Sequence, residues 1–167
     1  MKTAIVYSHS ATKTKQVANL IKQALGREID DLDIETIEIG RIKDYDLLIL
    51  GAPTWFDGEL PNYWDEKVPY LEDLELAHHK VAIFGNGDQI GYPQNFGDAV
   101  GLLAEVFESS GAVIVGQTST DGYQFESSKA LRGNRFLGLI LDFEHQVKMN
   151  KQRVSDWVYS IENQQVN

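Results

Sequence analysis

Apolar residues run without alternation from Leu47 to Leu50 and again from Val81 to Phe84. Such runs fit strands of a parallel sheet covered by helices on both faces, where neither side of the strand meets water. Residues 4–7 and 112–116 read the same way, whereas residues 33–39 alternate with period two, which predicts a half-exposed strand at or near a sheet edge. Helical periodicities fall between these strands. Val17, Leu20, Ile21, Ala24 and Leu25 lie on one face of a helix that stops at Gly26. Phe96, Val100, Leu103, Ala104 and Phe107 predict a second stripe ending near Gly111, and Val154, Trp157, Val158 and Ile161 a last one, with Trp157 packed inward. Residues 63–76 are mixed: one or two short helices, with Pro69 interrupting them.

Strands alternating with helices predict an α/β fold, a doubly wound parallel sheet. The alternation breaks after the fifth strand. Residues 118–135 are polar and too long for a plain connection, and an apolar run resumes at 136–141, so an insertion is expected to split the fifth strand. The 167 residues fit a single domain, residues 1–167, able to bury roughly 70% of its unfolded surface and fold without staples.

The loops after three strands carry the chemistry. Ligands of open α/β sheets sit outside the carboxyl ends of the strands. Residues 8–15 form a hydroxyl-rich turn leading into a helix, which would offer backbone N–H groups and a helix N-terminus to an anion. Pro53, Gly58 and Pro61 hold a loop that carries Trp55 and Phe56, and the loop at 86–92 carries Gly87, Asp88 and Tyr92. An anion site joined to aromatic faces describes a mononucleotide with a wide, flat base.

Composition narrows the class. Without cysteine there is no disulfide, thiolate nucleophile or Cys-ligated metal, so any redox chemistry must come from a bound cofactor. His78, His79 and His145 lack metal-ligand spacing. A net charge of −10 argues against nucleic acid as a partner and favours basic protein surfaces. The N-terminus lacks the apolar length of a signal peptide and no run approaches a membrane span of ~20 residues, so a cytoplasmic monomer that does not engage membranes is expected.

At these loops the chain resembles a long-chain flavodoxin along essentially its whole length. Residues 53–60, Pro-Thr-Trp-Phe-Asp-Gly-Glu-Leu, resemble the first ring-binding loop, and residues 84–92, Phe-Gly-Asn-Gly-Asp-Gln-Ile-Gly-Tyr, the second. Residues 121–131 and 136–142 resemble the long-chain insertion and the strand half after it. The resemblance implies a five-stranded parallel sheet in order 2-1-3-4-5, non-covalent FMN, and a low-potential one-electron carrier between a reductase and acceptor proteins. It further implies a cofactor site built from His9, Ser10, Ala11, Thr12, Lys13 and Thr14 at the phosphate, and from Pro53, Thr54, Trp55, Phe56, Asp57, Gly58, Asn86, Gly87, Asp88, Tyr92 and Asn95 around the ring. Asp88 matches the position that contacts the ring edge, and Asp57 and Glu59 read as solvated acids.

The phosphate loop departs from the family pattern, Thr/Ser-x-Thr-Gly-Asn/Lys-Thr. Lys13 and Thr14 match, but His9 and Ala11 replace the two hydroxyls and Thr12 the glycine, while Ser8 replaces a usual glycine. If position 12 needs a positive φ, a β-branched Thr12 is strained there. Weakened phosphate recognition is expected, with His9 as a candidate substitute. Two other readings stand beside the carrier: a flavodoxin-like binding module that has lost FMN, and a small flavin-dependent quinone or nitro reductase.

Overall fold

The computed structural model describes residues 1–163. Its central sheet is wholly parallel and takes the strand order β2-β1-β3-β4-β5, from β1 (Thr3–Tyr7), β2 (Asp30–Asp33), β3 (Leu47–Pro53), β4 (Lys80–Asn86) and β5 (Val113–Val115). The split fifth strand is present. β5 pairs with the first half of β4, at Lys80 to Ala82, and β9 (Leu139–Leu141) with the second half, at Phe84 to Asn86. Between them the insertion folds into three two-residue strands, β6 (Thr118–Ser119), β7 (Leu131–Arg132) and β8 (Arg135–Phe136), paired antiparallel in the order β6-β8-β7.

Successive strand residues point to opposite faces, so each inner strand feeds two cores. Ala4, Val6, Leu48, Leu50 and Ala52 pack toward α4 (Asp98–Ser109) with Val100, Leu103, Ala104 and Phe107. Ile5, Tyr7, Leu47 and Ile49 pack toward α1 (Thr12–Leu25) and α5 (Asn150–Asn163), through Val17, Ile21, Val154 and Trp157. Two short helices, α2 (Asn62–Asp65) and α3 (Val68–Glu72), occupy the mixed segment, and Pro69 lies in the first turn of α3, where its missing N–H costs no helix bond. Each buried tryptophan finds an acceptor: Trp64 Nε1 donates to the Gly51 carbonyl at 3.0 Å and Trp157 Nε1 to that of Gly116 at 2.7 Å. Among the described residues no helix is long and apolar enough to cross a membrane.

The edge strand differs from the expectation. β2 ends at Asp33, and residues 34–39 turn away. The Asp33 carbonyl accepts the N–H groups of Thr36 and Ile37, and Asp33 Oδ1 accepts that of Glu35 at 3.0 Å. Ile34 and Ile37 are therefore buried from a turn, not from one face of a strand. An aspartate whose side chain bonds the backbone two residues on offers the chain an alternative to the ladder.

Candidate functional site

The carboxyl ends of β1, β3 and β4 converge on two cavities that meet at Trp55. The first, about 370 Å³, is lined by Thr54, Trp55, Phe56, Gly87, Asp88, Tyr92 and Asn95. Ser8, Ser10, Ala11, Thr12, Lys13, Thr14, Glu35, Pro53, Trp55, Tyr63 and Asn86 line the second, of about 420 Å³.

Around the first cavity the two loops are fastened before any ligand arrives. Trp55 and Glu59 exchange both backbone hydrogen bonds, at 2.9 and 2.7 Å, closing a three-residue tip of Phe56, Asp57 and Gly58. Gly58 takes φ +90°, and a Cβ there would stand 2.4 Å from Asp98 Oδ2, so only glycine fits. Phe56 sits at φ +47° with 76% of its surface exposed, an unfavourable backbone for an aromatic residue that the closed tip imposes. Asn95 Nδ2 donates to the Asp57 carbonyl at 3.1 Å, tying this tip to the second loop, and the Ala99 N–H donates to Thr54 Oγ1 at 3.1 Å. Asp57 and Gly58 shape the tip and do not line the cavity.

The second loop hangs on one buried carboxylate. Asp142 is fully buried and accepts from the N–H and side-chain amide of Gln89, at 3.2 and 2.9 Å, and from the N–H groups of Glu144 and His145, both at 2.9 Å. Asp88 Oδ1 accepts from Ile90 at 3.1 Å and Gly91 at 2.7 Å and lies 3.0 Å from His145 Nε2. Desolvation raises the Asp88 pKa, but the Gly91 and Ile90 N–H groups and the His145 ring outweigh it and hold the carboxyl below its usual range. Tyr92 stands 60% exposed, and Trp55 is half-buried, its ring edge-on to Tyr63 at 5.6 Å between centroids. The cavity thus has aromatic walls and a single acid, Asp88, in its lining.

Around the second cavity the donors are partly committed. The α1 N-cap is Ala11, which has no side chain to cap the helix, so the first N–H groups of α1 face the cavity without that partner. Thr12 has ordinary helical geometry, since Phe56 and His78 alone among the described non-glycine residues take positive φ. The expected strain at Thr12 does not exist. Thr14 is buried, with Oγ1 3.4 Å from Asn86 Oδ1. Ser8 and Ser10 both donate to Glu35 Oε2, at 2.6 and 2.8 Å, and Lys13 Nζ pairs with Glu144. The Tyr63 hydroxyl is buried without a hydrogen-bond partner, and burial, then the Glu35 charge, push its pKa well above the ordinary phenol value.

His9 does not join this group. Its ring turns to the sheet edge, with Nε2 2.9 Å from Asp31 Oδ1 and Nδ1 3.9 Å from Asp33 Oδ2, and it lines a separate depression with Thr36 and Arg41. The parallel register sets Tyr7 beside Asp33, which brings Asp31 and Asp33, two of the three acids of β2, within reach of His9, two residues beyond β1. Burial raises the Asp31 pKa, but Lys22 and His9 outweigh it and lower the net value. Sequence reasoning misses Glu35 and Tyr63, and has Ser8 only as the start of the hydroxyl-rich turn. Tyr63 carried only the weak signal of an aromatic just past Pro61, and Glu35 carried none, because residues 33–39 read as a strand.

The flavodoxin family profile matches residues 5–157. Flavodoxin of Nostoc sp. is 40% identical over 164 residues, covering 98% of this chain and 96% of the relative. Flavodoxin 1 of Escherichia coli is 38% identical over 161 residues, covering 95% and 92%. Among solved structures, Fusobacterium nucleatum flavodoxin bound to flavin mononucleotide superposes with a TM-score of 0.91 at 28% identity, over 97% of this chain and 98% of that one. Matched in sequence along nearly its whole length and in the order of its strands, the chain belongs to the flavodoxin family.

Proposed function

We propose that this chain binds FMN across the two cavities and carries single electrons between a reductase and low-potential acceptor proteins. The observation that carries this reading is that the two cavities share Trp55 in their linings, with aromatic walls on one side and a helix N-terminus on the other. The donor chemistry suits the cofactor. Trp55 and Tyr92 would stack on the flavin ring, while Asp88, Asn95 and the 87–88 backbone would meet its polar edge. The uncapped N–H groups from Thr12 to Thr14 would hold the phosphate, and Tyr63 supplies a buried hydroxyl in need of a partner along the way. His9 has no part in this assignment.

FMN supplies the redox chemistry when bound, and the protein tunes it. Asp88 lies in the ring cavity and Asp57 and Glu59 are exposed beside it, in a chain of net charge −10. Negative charge added to the ring is therefore opposed, which makes the fully reduced carrier strongly reducing. Exposed Phe56 and Tyr92 place the ring edge near the surface, where a partner can reach it. That partner would be basic, and the same net charge favours a monomer. A cytoplasmic setting agrees with a chain that needs no disulfide.

The test is a titration of the protein with FMN followed by Trp and flavin fluorescence. Stacking against Trp55 should quench both. No quench up to ~50 µM FMN, a concentration at which any site tighter than about −6 kcal/mol would fill, would overturn the reading.

A further inference from the structure

Glu35 lines the cavity that the FMN reading gives to the phosphate, and the local fold aims it there. β2 ends at Asp33, whose side chain and carbonyl fold residues 34–37 into a turn, and the buried Ile34 and Ile37 anchor that turn on both sides of Glu35. The Glu35 carboxylate then reaches back to β1's loop and takes the hydroxyls of Ser8 and Ser10 on one oxygen, Oε2. Ser8 and Ser10 lie 2.9 Å apart. These are the serine hydroxyls of the phosphate-end cavity, and Lys13, the lysine in its lining, is paired with Glu144.

A phosphate entering this cavity must therefore displace a carboxylate from its donors or lie beside it. Hydrogen bonds to ionised acceptors are the strong ones, so giving up two of them matters. Like charges a few ångströms apart also repel. The Ser8 and Ser10 hydroxyls hold the Glu35 carboxyl below its usual range, so it is charged at neutral pH. The ring cavity has no equivalent competitor, because Asp88 is already held by two N–H groups and His145.

We propose that Glu35 is a specificity-determining residue that occupies the phosphate-binding hydroxyls, so that the ring end dominates recognition and the chain binds riboflavin nearly as well as FMN. This rests on the FMN reading above and adds to it what the chain's own acid does to the cofactor's phosphate. The ligand class is a flavin with or without a terminal phosphate.

The experiment compares riboflavin and FMN affinities by Trp fluorescence quenching in the full chain and in Glu35→Gln and Glu35→Ala. Glu35 is exposed, so neither change threatens the fold. In the unaltered chain the two flavins should bind within about tenfold of each other. Glu35→Gln should tighten FMN about tenfold, equivalent to ~1.4 kcal/mol, and leave riboflavin within about twofold. Glu35→Ala, which also clears the side chain from the cavity, should tighten FMN at least as much. If riboflavin binds but FMN affinity does not move in either variant, or FMN already binds the unaltered chain about a thousandfold tighter than riboflavin, the inference fails and the FMN reading stands. Binding of neither flavin to any form overturns both.

Discussion

The two ends of the proposed cofactor site use opposite means. At the ring end, loop conformation is fixed by bonds within and between the loops: the Trp55–Glu59 backbone pair, the Asn95 contact to the Asp57 carbonyl, and the Asp142 carboxylate under the second loop. The aromatic faces are left for a ligand, and little needs to reorganise on binding. At the phosphate end the serine and lysine donors are already engaged, Ser8 and Ser10 by Glu35 and Lys13 by Glu144, and the Tyr63 hydroxyl is left without a partner. Binding there must first undo contacts. Preorganisation and donor inventory are separate properties, and a site can have one without the other.

The largest way to break the contrast is to remove the support of the ring end. Asp142→Ala would leave four N–H donors without their acceptor, the two of Gln89 buried and those of Glu144 and His145 half-buried, and should cost about 3 kcal/mol of stability in urea unfolding. FMN and riboflavin should weaken alike, because the damage lies at the ring loop.

Alkali should do a milder version of the same. Tyr123 lies beneath that loop, donating to the Ile140 carbonyl at 2.6 Å under the Arg153 guanidinium, and burial pushes its pKa up to about 12. A folded pKa above the unfolded value of about 10 means that the stability tied to the neutral phenol is complete below pH ~10 and is lost as pH rises toward 12. The loss should approach 2–3 kcal/mol, and Tyr123→Phe should remove that alkaline slope in urea midpoints measured from pH 9 to 12.

Trp55→Ala should cost about 2 kcal/mol of flavin binding, the stacking increment of a ring on an aromatic platform, equally for FMN and riboflavin in a fluorescence titration read from the flavin. An effect on FMN alone would mean that Trp55 serves the phosphate end. Smallest is Thr12→Gly. Thr12 is helical and unstrained, so the glycine relieves nothing and should lower stability by roughly 0.5 kcal/mol without tightening FMN. A tenfold gain in FMN affinity would restore the idea that position 12 wants the glycine for its backbone.

How much of this could be read from the chain follows from how local each signal is. The runs at β3 and β4 are unbroken because both faces of those strands are buried, and the stripes of α1, α4 and α5 each meet one core. Those elements were legible. The split of the fifth strand was legible as an apolar run resuming after a polar stretch, but β6, β7 and β8, of two residues each, leave no period to read. The loop aromatics were legible because glycines and prolines punctuate them. Glu35 was not, since its partners are 25 and 27 residues earlier and only the turn after Asp33 aims it at them. His9 misled for the same reason: its position in the loop pointed to phosphate, and acids on the neighbouring strand drew it away.

Stepwise reduction of the FMN-loaded protein, with a potential recorded for each electron, separates a chain that carries electrons singly from one that takes them in pairs. With FMN seated as proposed, Asp57, Glu59 and Asp88 would oppose added negative charge, and each ~1.4 kcal/mol of opposition would separate the two potentials by about 59 mV. Two resolved one-electron steps more than about 100 mV apart, the second easing as salt rises, are the expected result. A single two-electron step at one potential, unchanged by salt, would contradict the account.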